Sequence, residues 1–114
     1  MMKGLGNLGD MGKMMKAAQE MQTKMAQLQE DLKAITVTGE SGAGLVKATA
    51  TGKGELTQLD IDPSIFNADD KEVVEDLILA AIKDAQTRAQ DRAKEEMGKI
   101  AESMGLPRDM NLPM

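Results

Sequence analysis

Four carboxylates lie close together along the chain, on either side of Pro63, and could in principle do metal or acid-base chemistry. They are Asp60, Asp62, Asp69 and Asp70. Paired carboxylates can hold Mg²⁺ or Ca²⁺, or transfer protons. Two of these residues alternate along an expected strand, and two lie where a helix is expected to begin, a place where the helix dipole favours negative charge. We therefore expect solvated structural carboxylates here and no metal site.

The residue types that most enzymatic sites require are missing from the chain. It has no His and no Cys, which excludes imidazole and thiolate metal ligands, catalytic thiols and His-based triads. The glycine-rich segments 39–44 and 52–54 lack the Lys-Ser or Lys-Thr pair and the following helix of a phosphate-binding loop, so we interpret them as hairpin turns. We expect no enzymatic activity, no cofactor and no small-molecule substrate. A metal-dependent hydrolase built on the acidic cluster is the weakest alternative.

The basic residues offer binding chemistry. Net charge is −5, but residues 35–82 carry a net −6, whereas residues 1–34 carry +1 and residues 83–114 carry zero. The basic side chains of the two ends form either ordinary solvated helix faces or contacts to nucleic-acid phosphates. The candidate contacts are Lys13, Lys16, Lys24, Arg88, Arg92, Lys94 and Lys99. Lys53, in a turn of the acidic region, is expected to take no part. With Phe66 as the single aromatic residue, binding of single strands by base stacking is not favoured.

The first helix must position the first three of these lysines. Residues 1–9 contain three Gly and predict a flexible N-terminal arm, with Asp10 as the helix N-cap. Apolar side chains then follow in alternating steps of three and four, which is a heptad seam. They are Met11, Met14, Ala18, Met21, Met25, Leu28, Leu32 and Ile35. Either this helix lies on its own sheet, or part of the seam meets a second copy of the chain. The candidate dimer seam comprises Met14, Ala18, Met21, Met25 and Leu28.

Three short strands and a second long helix complete the pattern. Residues 35–38, 45–51 and 55–62 predict an antiparallel meander, with Val46, Ala48 and Ala50 on one face. Asp69 and Glu72 have the spacing of a capping box that opens a helix running to about residue 104. The fold class is α+β: long N-terminal helix, three-stranded antiparallel meander and long C-terminal helix, as one domain over 10–104 with an irregular tail over 105–114.

Both helices look too long for such a sheet. About thirty helical residues span roughly 50 Å, whereas short strands reach about 20 Å. The second half of the last helix must therefore project into solvent or pack on a partner, and we expect a homodimer. No run approaches the roughly 18 apolar residues of a membrane span, so we expect a cytoplasmic protein that does not enter a membrane.

Several local segments resemble the YbaB/EbfC family of bacterial nucleoid-associated proteins. MMKAAQEMQTKM (14–25) resembles its Met- and Gln-rich first helix, and VTGESGAGLVK (37–47) is similar to its first hairpin. IDPS (61–64) followed by DKEVVEDL (70–77) is similar to the passage from its last strand into its last helix. MGLPRDMNLPM (104–114) resembles its tail, although Arg108-Asp109 stands where many members have Pro-Gly.

The resemblance implies a cytoplasmic, nucleoid-associated homodimer, shaped like tweezers, that binds double-stranded DNA and can influence gene expression. It also implies that the helical arms take part in DNA contact, and we expect low sequence specificity. The individual basic residues named above come from their charge and expected exposure, not from the resemblance. The competing hypothesis is a dimeric adaptor whose Met-rich helix grips another protein's helix and never touches DNA.

Overall fold

The computed structural model describes the backbone of residues 2–105 and the side chains of residues 11–105. Two long helices, α1 (Met2–Ala34) and α2 (Lys71–Ser103), flank three strands, β1 (Thr36–Ser41), β2 (Val46–Thr51) and β3 (Leu56–Ile61). This order confirms the predicted α+β fold. The irregular tail predicted over 105–114 lies, from residue 106 onward, outside the described residues.

Helix α1 begins earlier than predicted. It starts at Met2, so Asp10 lies inside the helix and is not its N-cap. The glycines of this segment lower helix propensity, but unlike Pro they keep the backbone N–H that a helix needs, and they do not stop it. The prediction of a helix start at Asp10 was therefore wrong. The flexibility expected of residues 1–9 stays a prediction.

The three strands form one antiparallel sheet in the order β1-β2-β3. Strand β1 runs to Ser41, past its predicted end at residue 38, because pairing continues from Gly39 opposite Ala48 to Ser41 opposite Val46. The turn between β1 and β2 is correspondingly shorter. It is a single 3₁₀ turn at Gly42–Gly44, and both terminal glycines have the positive φ that favours this residue.

One face of the sheet packs against the first half of α2. Val46, Ala48 and Ala50 are fully buried, on the face where the alternation placed them, and they contact Ala81 and Ala85 of the helix. The small side chains on both sides bring helix and strand backbones close together. Strand β3 stays at the margin of this layer, and Leu56 and Leu59 remain 43% and 44% exposed.

A second apolar cluster lies beyond the sheet, between the two helices. Leu28 and Leu32 of α1 pack on Ala93 and Met97 of α2, with Met25, Ile35 and Ile100 around them. We predicted that the second half of α2 would project into solvent or meet a partner, and that α1 would lie on the sheet or on a second copy. Instead the two helices leave the sheet at the same end, run antiparallel, and cover each other within one chain.

The predicted capping box at Asp69 and Glu72 was wrong. Helix α2 is preceded by a 3₁₀ turn at Ala68–Asp70, and Asn67 caps that turn by accepting a hydrogen bond from the Asp69 backbone N–H at 3.1 Å. Asp69 is thus inside the turn, and the helix proper follows Asp70, whose side chain makes no capping bond. The spacing of Asp69 and Glu72 fits a cap, but the additional 3₁₀ turn places the capping residue two positions earlier, at Asn67.

The molecule is elongated because α1 continues beyond the end of α2. Lys24 lies opposite Ser103, the last residue of α2, and the α1 side chains from Met11 to Glu20 are all exposed. The radius of gyration is 21.5 Å, against about 13 Å for a compact domain of this length. This projecting part of α1, residues 11–23, is called the α1 arm below.

Candidate functional site

The acidic residues around Pro63 serve local structure. Asp62 accepts a hydrogen bond from the Ser64 backbone N–H at 2.8 Å and caps the 3₁₀ turn Pro63–Ile65. That bond holds the pKa of the Asp62 carboxyl below its ordinary value. Asp60 lies on β3 opposite Lys47. Within the part of the chain whose side chains are described, no group of three or more acidic side chains is arranged to hold a metal ion.

Three of the predicted basic contacts on α2 are paired with carboxylates of the same helix. Arg88 Nε lies 3.1 Å from Asp84 Oδ2, Arg92 Nε lies 3.0 Å from Glu96 Oε1, and Lys99 Nζ lies 3.2 Å from the same Glu96 oxygen. Each arginine uses only its Nε in these pairs, so the terminal nitrogens of both guanidinium groups keep donors for another ligand. The carboxylates of Asp84 and Glu96 therefore partly neutralise these three cations.

The partners of these cations have lowered pKa values. The Glu40 backbone N–H, 2.9 Å from Asp84 Oδ2, is the main reason that the pKa of Asp84 is lowered, and the bond from Arg88 adds to it. For Glu96, the hydrogen bond from Arg92 lowers the pKa most and that from Lys99 follows. Asp84 therefore ties β1 to α2 and holds Arg88 in place at the same time.

The structure distributes the predicted basic residues over separate surfaces. Arg88 and Arg92 line a hollow of about 360 Å³ beside β1, together with the acidic Asp91 and Glu95. Lys24 and Lys99 line a smaller hollow of about 250 Å³ at the end of α2, where Lys24 Nζ donates to Ser103 Oγ at 2.7 Å. Each hollow also contains carboxylates.

Lys94 lies apart from these residues, in a cleft of about 710 Å³ that we call the turn cleft. The β2–β3 turn brings Lys53 into the same cleft, although Lys53 was expected to take no part. The lining residues are Gln29, Leu32, Gly52, Lys53, Gly54, Gln86, Gln90, Ala93 and Lys94. Sequence reasoning missed Lys53 because its approach to Lys94 depends on how the turn packs on α1, which no local pattern encodes.

Comparison with known protein families identifies the family of this chain. Residues 7–104 match the model of the YbaB/EbfC DNA-binding family. The chain belongs to the YbaB/EbfC DNA-binding family. The resemblance noted from the sequence is confirmed, and DNA binding and nucleoid association are the properties of this family. DNA is thus the partner that family membership supports.

A solved structure also resembles this YbaB/EbfC protein. The crystal structure of the uncharacterized protein HP0035 from Helicobacter pylori superposes with a TM-score of 0.64 at 29% sequence identity. The match covers 73% of this chain and 87% of that chain. The similarity therefore extends over most of both molecules. In the described part of the chain, neither helix has a stretch long and apolar enough to cross a membrane.

The remaining candidate cations of this YbaB/EbfC protein lie on the α1 arm. Lys13 and Lys16 are exposed, and neither forms an ion pair with the side chains of residues 11–105. They share a side of the helix with Lys24, since the steps are three and eight residues. Glu20, which is also exposed, lies one turn from both Lys16 and Lys24 on this side, so the arm presents a short basic stripe interrupted by one carboxylate.

The predicted dimer seam divides into two parts. Leu28 is buried and Met25 half-buried, both against α2 of the same chain, whereas Met14 and Ala18 are exposed and Met21 is intermediate. The methionines of the arm are among the most exposed large apolar side chains: Met11 is 57%, Met14 70% and Met15 64% exposed. That a second copy meets this seam stays a prediction.

Proposed function

We propose that this protein binds double-stranded DNA as a homodimer, with low sequence specificity, and thereby influences nucleoid organisation and gene expression. We further propose that it acts in the cytoplasm, on the nucleoid, and is not an enzyme. Beyond family membership, the observation that supports DNA binding most is the α1 arm. It carries exposed lysines, free of ion pairs in the described part, on a projecting helix.

The proposed contacts are mainly to phosphates. Lysine ammonium groups act as point charges that neutralise phosphates without reading base edges, so affinity should be largely independent of sequence. Releasing counterions from about four to six phosphates gives a slope of log K against log salt of roughly −4 to −5. The dimer supplies two arms, which doubles the basic stripe that each chain carries alone.

Dimerisation is supported by the half of the seam that packs on no other element in the described part of the chain. The heptad seam is buried at Leu28 and Leu32 and half-buried at Met25. Its spacing continues without a break through Met21, which is half-buried, to Ala18 and Met14, which are exposed. A second copy of the same helix carries the matching spacing.

The DNA proposal is tested by gel shift and by affinity as a function of salt, with unrelated duplexes of equal length. The double variant Lys13→Glu, Lys16→Glu should weaken binding to every duplex about equally and flatten the salt slope. The matched control is Lys47→Glu with Lys71→Glu, because these exposed lysines lie at the sheet and at the start of α2, far along the molecule from the arm. An affinity insensitive to salt, or an equal loss in the control, would show that the arm is not the binding surface.

The alternative function, a protein-binding adaptor, is favoured by the exposed arm methionines. Methionine adapts to varied apolar surfaces and is common where a protein grips the helices of several partners. Absence of any gel shift at tens of micromolar protein and low salt would favour the adaptor over the DNA-binding protein.

The homodimer has its own test. Analytical ultracentrifugation at micromolar concentration should give the mass of two chains, and Met14→Asp should shift the equilibrium towards one chain by placing a charge in the seam. A wild-type protein that sediments only as a single chain would refute the homodimer.

A further inference from the structure

We propose that the turn cleft is a binding site for phosphates of the DNA backbone, with Lys53 and Lys94 as its charged ligands and glutamine amides beside them. This inference deepens the proposed function and rests on it. It adds the β2–β3 turn, a part of the molecule outside the helical arms, to the DNA-contacting surface.

The first argument is the chemistry of the lining. Among the residues whose side chains the structure describes, two lysines and three glutamines line the turn cleft, and no carboxylate does. The hollow that contains Arg88 and Arg92 differs in this respect, because Asp91 and Glu95 line it as well. In a chain of net charge −5, a cleft lined by positive charges alone is a favourable place for an anion. Glutamine side chains add N–H donors that phosphate oxygens accept.

The second argument is that both lysines are free to bind. In the described part of the chain, neither Lys53 nor Lys94 forms an ion pair, whereas Arg88, Arg92 and Lys99 each do. A cation already held by a carboxylate must share or give up that partner when a phosphate arrives. Lys53 and Lys94 have no such partner to give up, so the full attraction of their charges is available to the ligand.

The third argument is geometric. Gln86, Gln90 and Lys94 follow each other at steps of four residues, so they form one ridge along the flank of α2 that faces the turn. Gln29 on α1 and Lys53 on the turn line the same cleft. Residues that carry N–H donors thus come from three separate elements to line one concave space, as in many ligand-binding sites.

The fourth argument is that the turn is held in place before any ligand arrives. The Gly52 N–H donates to two carbonyls at the end of α1, Leu32 O at 2.9 Å and Ile35 O at 3.0 Å. Thr51 Oγ1 accepts from the backbone N–H groups of Lys53 at 3.2 Å and Glu55 at 3.4 Å. A fixed turn loses little conformational entropy on binding.

The same bonds at Gly52 have an electrostatic consequence. Unpaired carbonyls at a helix C-terminus carry partial negative charge and disfavour anions. The Gly52 N–H pairs with one of them, Leu32 O, and with Ile35 O just past the end of the helix. Gly52 is required for this contact, since a Cβ at this position would lie 2.9 Å from both Leu32 O and Leu32 Cδ2.

The experiment compares full-length double variants in DNA affinity against salt. Lys53→Ala with Lys94→Ala should reduce affinity at about 0.1 M salt by at least tenfold and reduce the salt slope by roughly 2 for each of the dimer's two clefts that contacts the duplex, since each neutralised phosphate contributes about 0.9. The matched control, Lys47→Ala with Lys71→Ala, removes the same charge outside the cleft. Lys47 stands between Glu40 and Asp60 on neighbouring strands. We expect the salt slope of this control variant to stay within about 0.5 of the wild-type value.

The outcomes separate this inference from the function on which it rests. If the wild-type protein binds no duplex, the proposed function fails. If the wild type binds but the cleft variant and the control lose equal affinity, the cleft inference alone is overturned. Sedimentation of the cleft variant is measured in parallel. A shift from two chains to one would show that the cleft holds a second copy of the chain and would also overturn the inference.

Discussion

Helix α2 and strand β1 approach each other closely at Gly39, and Gly39→Ala is a sharp test of the fold. Gly39 is buried on β1 directly beneath α2. A Cβ built there would lie 2.6 Å from Ala85 Cα and 2.7 Å from Ala81 O. Both neighbours are backbone atoms of a helix, so no side-chain rotation can relieve the overlap. The helix must move away from the strand.

The required movement sets the magnitude. Carbon atoms in contact prefer about 3.5–4.0 Å, so helix and strand must separate by about 1 Å. A gap of that size loses a quarter to a half of the dispersion attraction across the affected interface, which includes the fully buried Val46 and Ala48. It also stretches the bond between the Glu40 N–H and Asp84. We expect the free energy of unfolding to fall by about 3 kcal/mol, at the upper end for overpacked sites.

The assay is urea and thermal unfolding followed by circular dichroism, at one fixed protein concentration because association would shift apparent stability. The expected fall in Tm is about 10–20 °C. The control is Gly12→Ala, where the same change meets nothing within 4 Å; it should raise helix content and cost no stability. A loss below about 1 kcal/mol for Gly39→Ala would refute the close packing of α2 on β1.

Two further predictions concern the ion pairs and the helix pair. The lowered pKa values of Asp84 and Glu96 stabilise the fold at neutral pH. This stabilisation begins to fall as the pH drops to the ordinary carboxyl pKa of about 4, and it is lost as the pH drops through the lowered pKa values. The free energy of unfolding in urea should therefore change less between pH 7 and pH 3 in Asp84→Asn than in the wild type. Leu28→Ala should cost about 2–4 kcal/mol of unfolding free energy because Leu28 is buried. Met14 is exposed, so Met14→Ala should leave the unfolding free energy of the single chain almost unchanged. Urea unfolding of both variants at the same protein concentration checks this.

The sequence predicted the elements well because their patterns are local. Alternation placed Val46, Ala48 and Ala50 on the buried face of β2, and steps of three and four marked both long helices. The errors occurred where the same local signal supports two outcomes. Asp10 and Asp69 are both good N-cap residues, but each lies within a turn or helix that starts upstream of it.

What could not be predicted is the pairing of surfaces from distant parts of the chain. A heptad seam indicates that one side of a helix packs against another surface, but it does not identify that surface. Its second half contacts α2 of the same chain rather than the sheet or another copy. The placement of Lys53 beside Lys94 depends on the same packing, because the turn is tied to the end of α1 through Gly52. For this reason, local sequence patterns cannot predict a candidate site whose residues come from several elements.

The acidic net charge of the chain is compatible with a polyanionic ligand because of distance and screening. The Debye length is about 10 Å at 0.1 M salt. From Lys13 to Leu32, where α1 reaches the sheet, the helix rises roughly 28 Å, almost three Debye lengths. The acidic side chains of residues 55–76 lie beyond that point, on β3, its following turns and the start of α2. A phosphate at the α1 arm therefore responds to the arm's own charges, Lys13, Lys16 and Glu20, and hardly at all to the distant carboxylates. The elongated fold, more than the composition, makes the α1 arm electrostatically independent of the acidic middle.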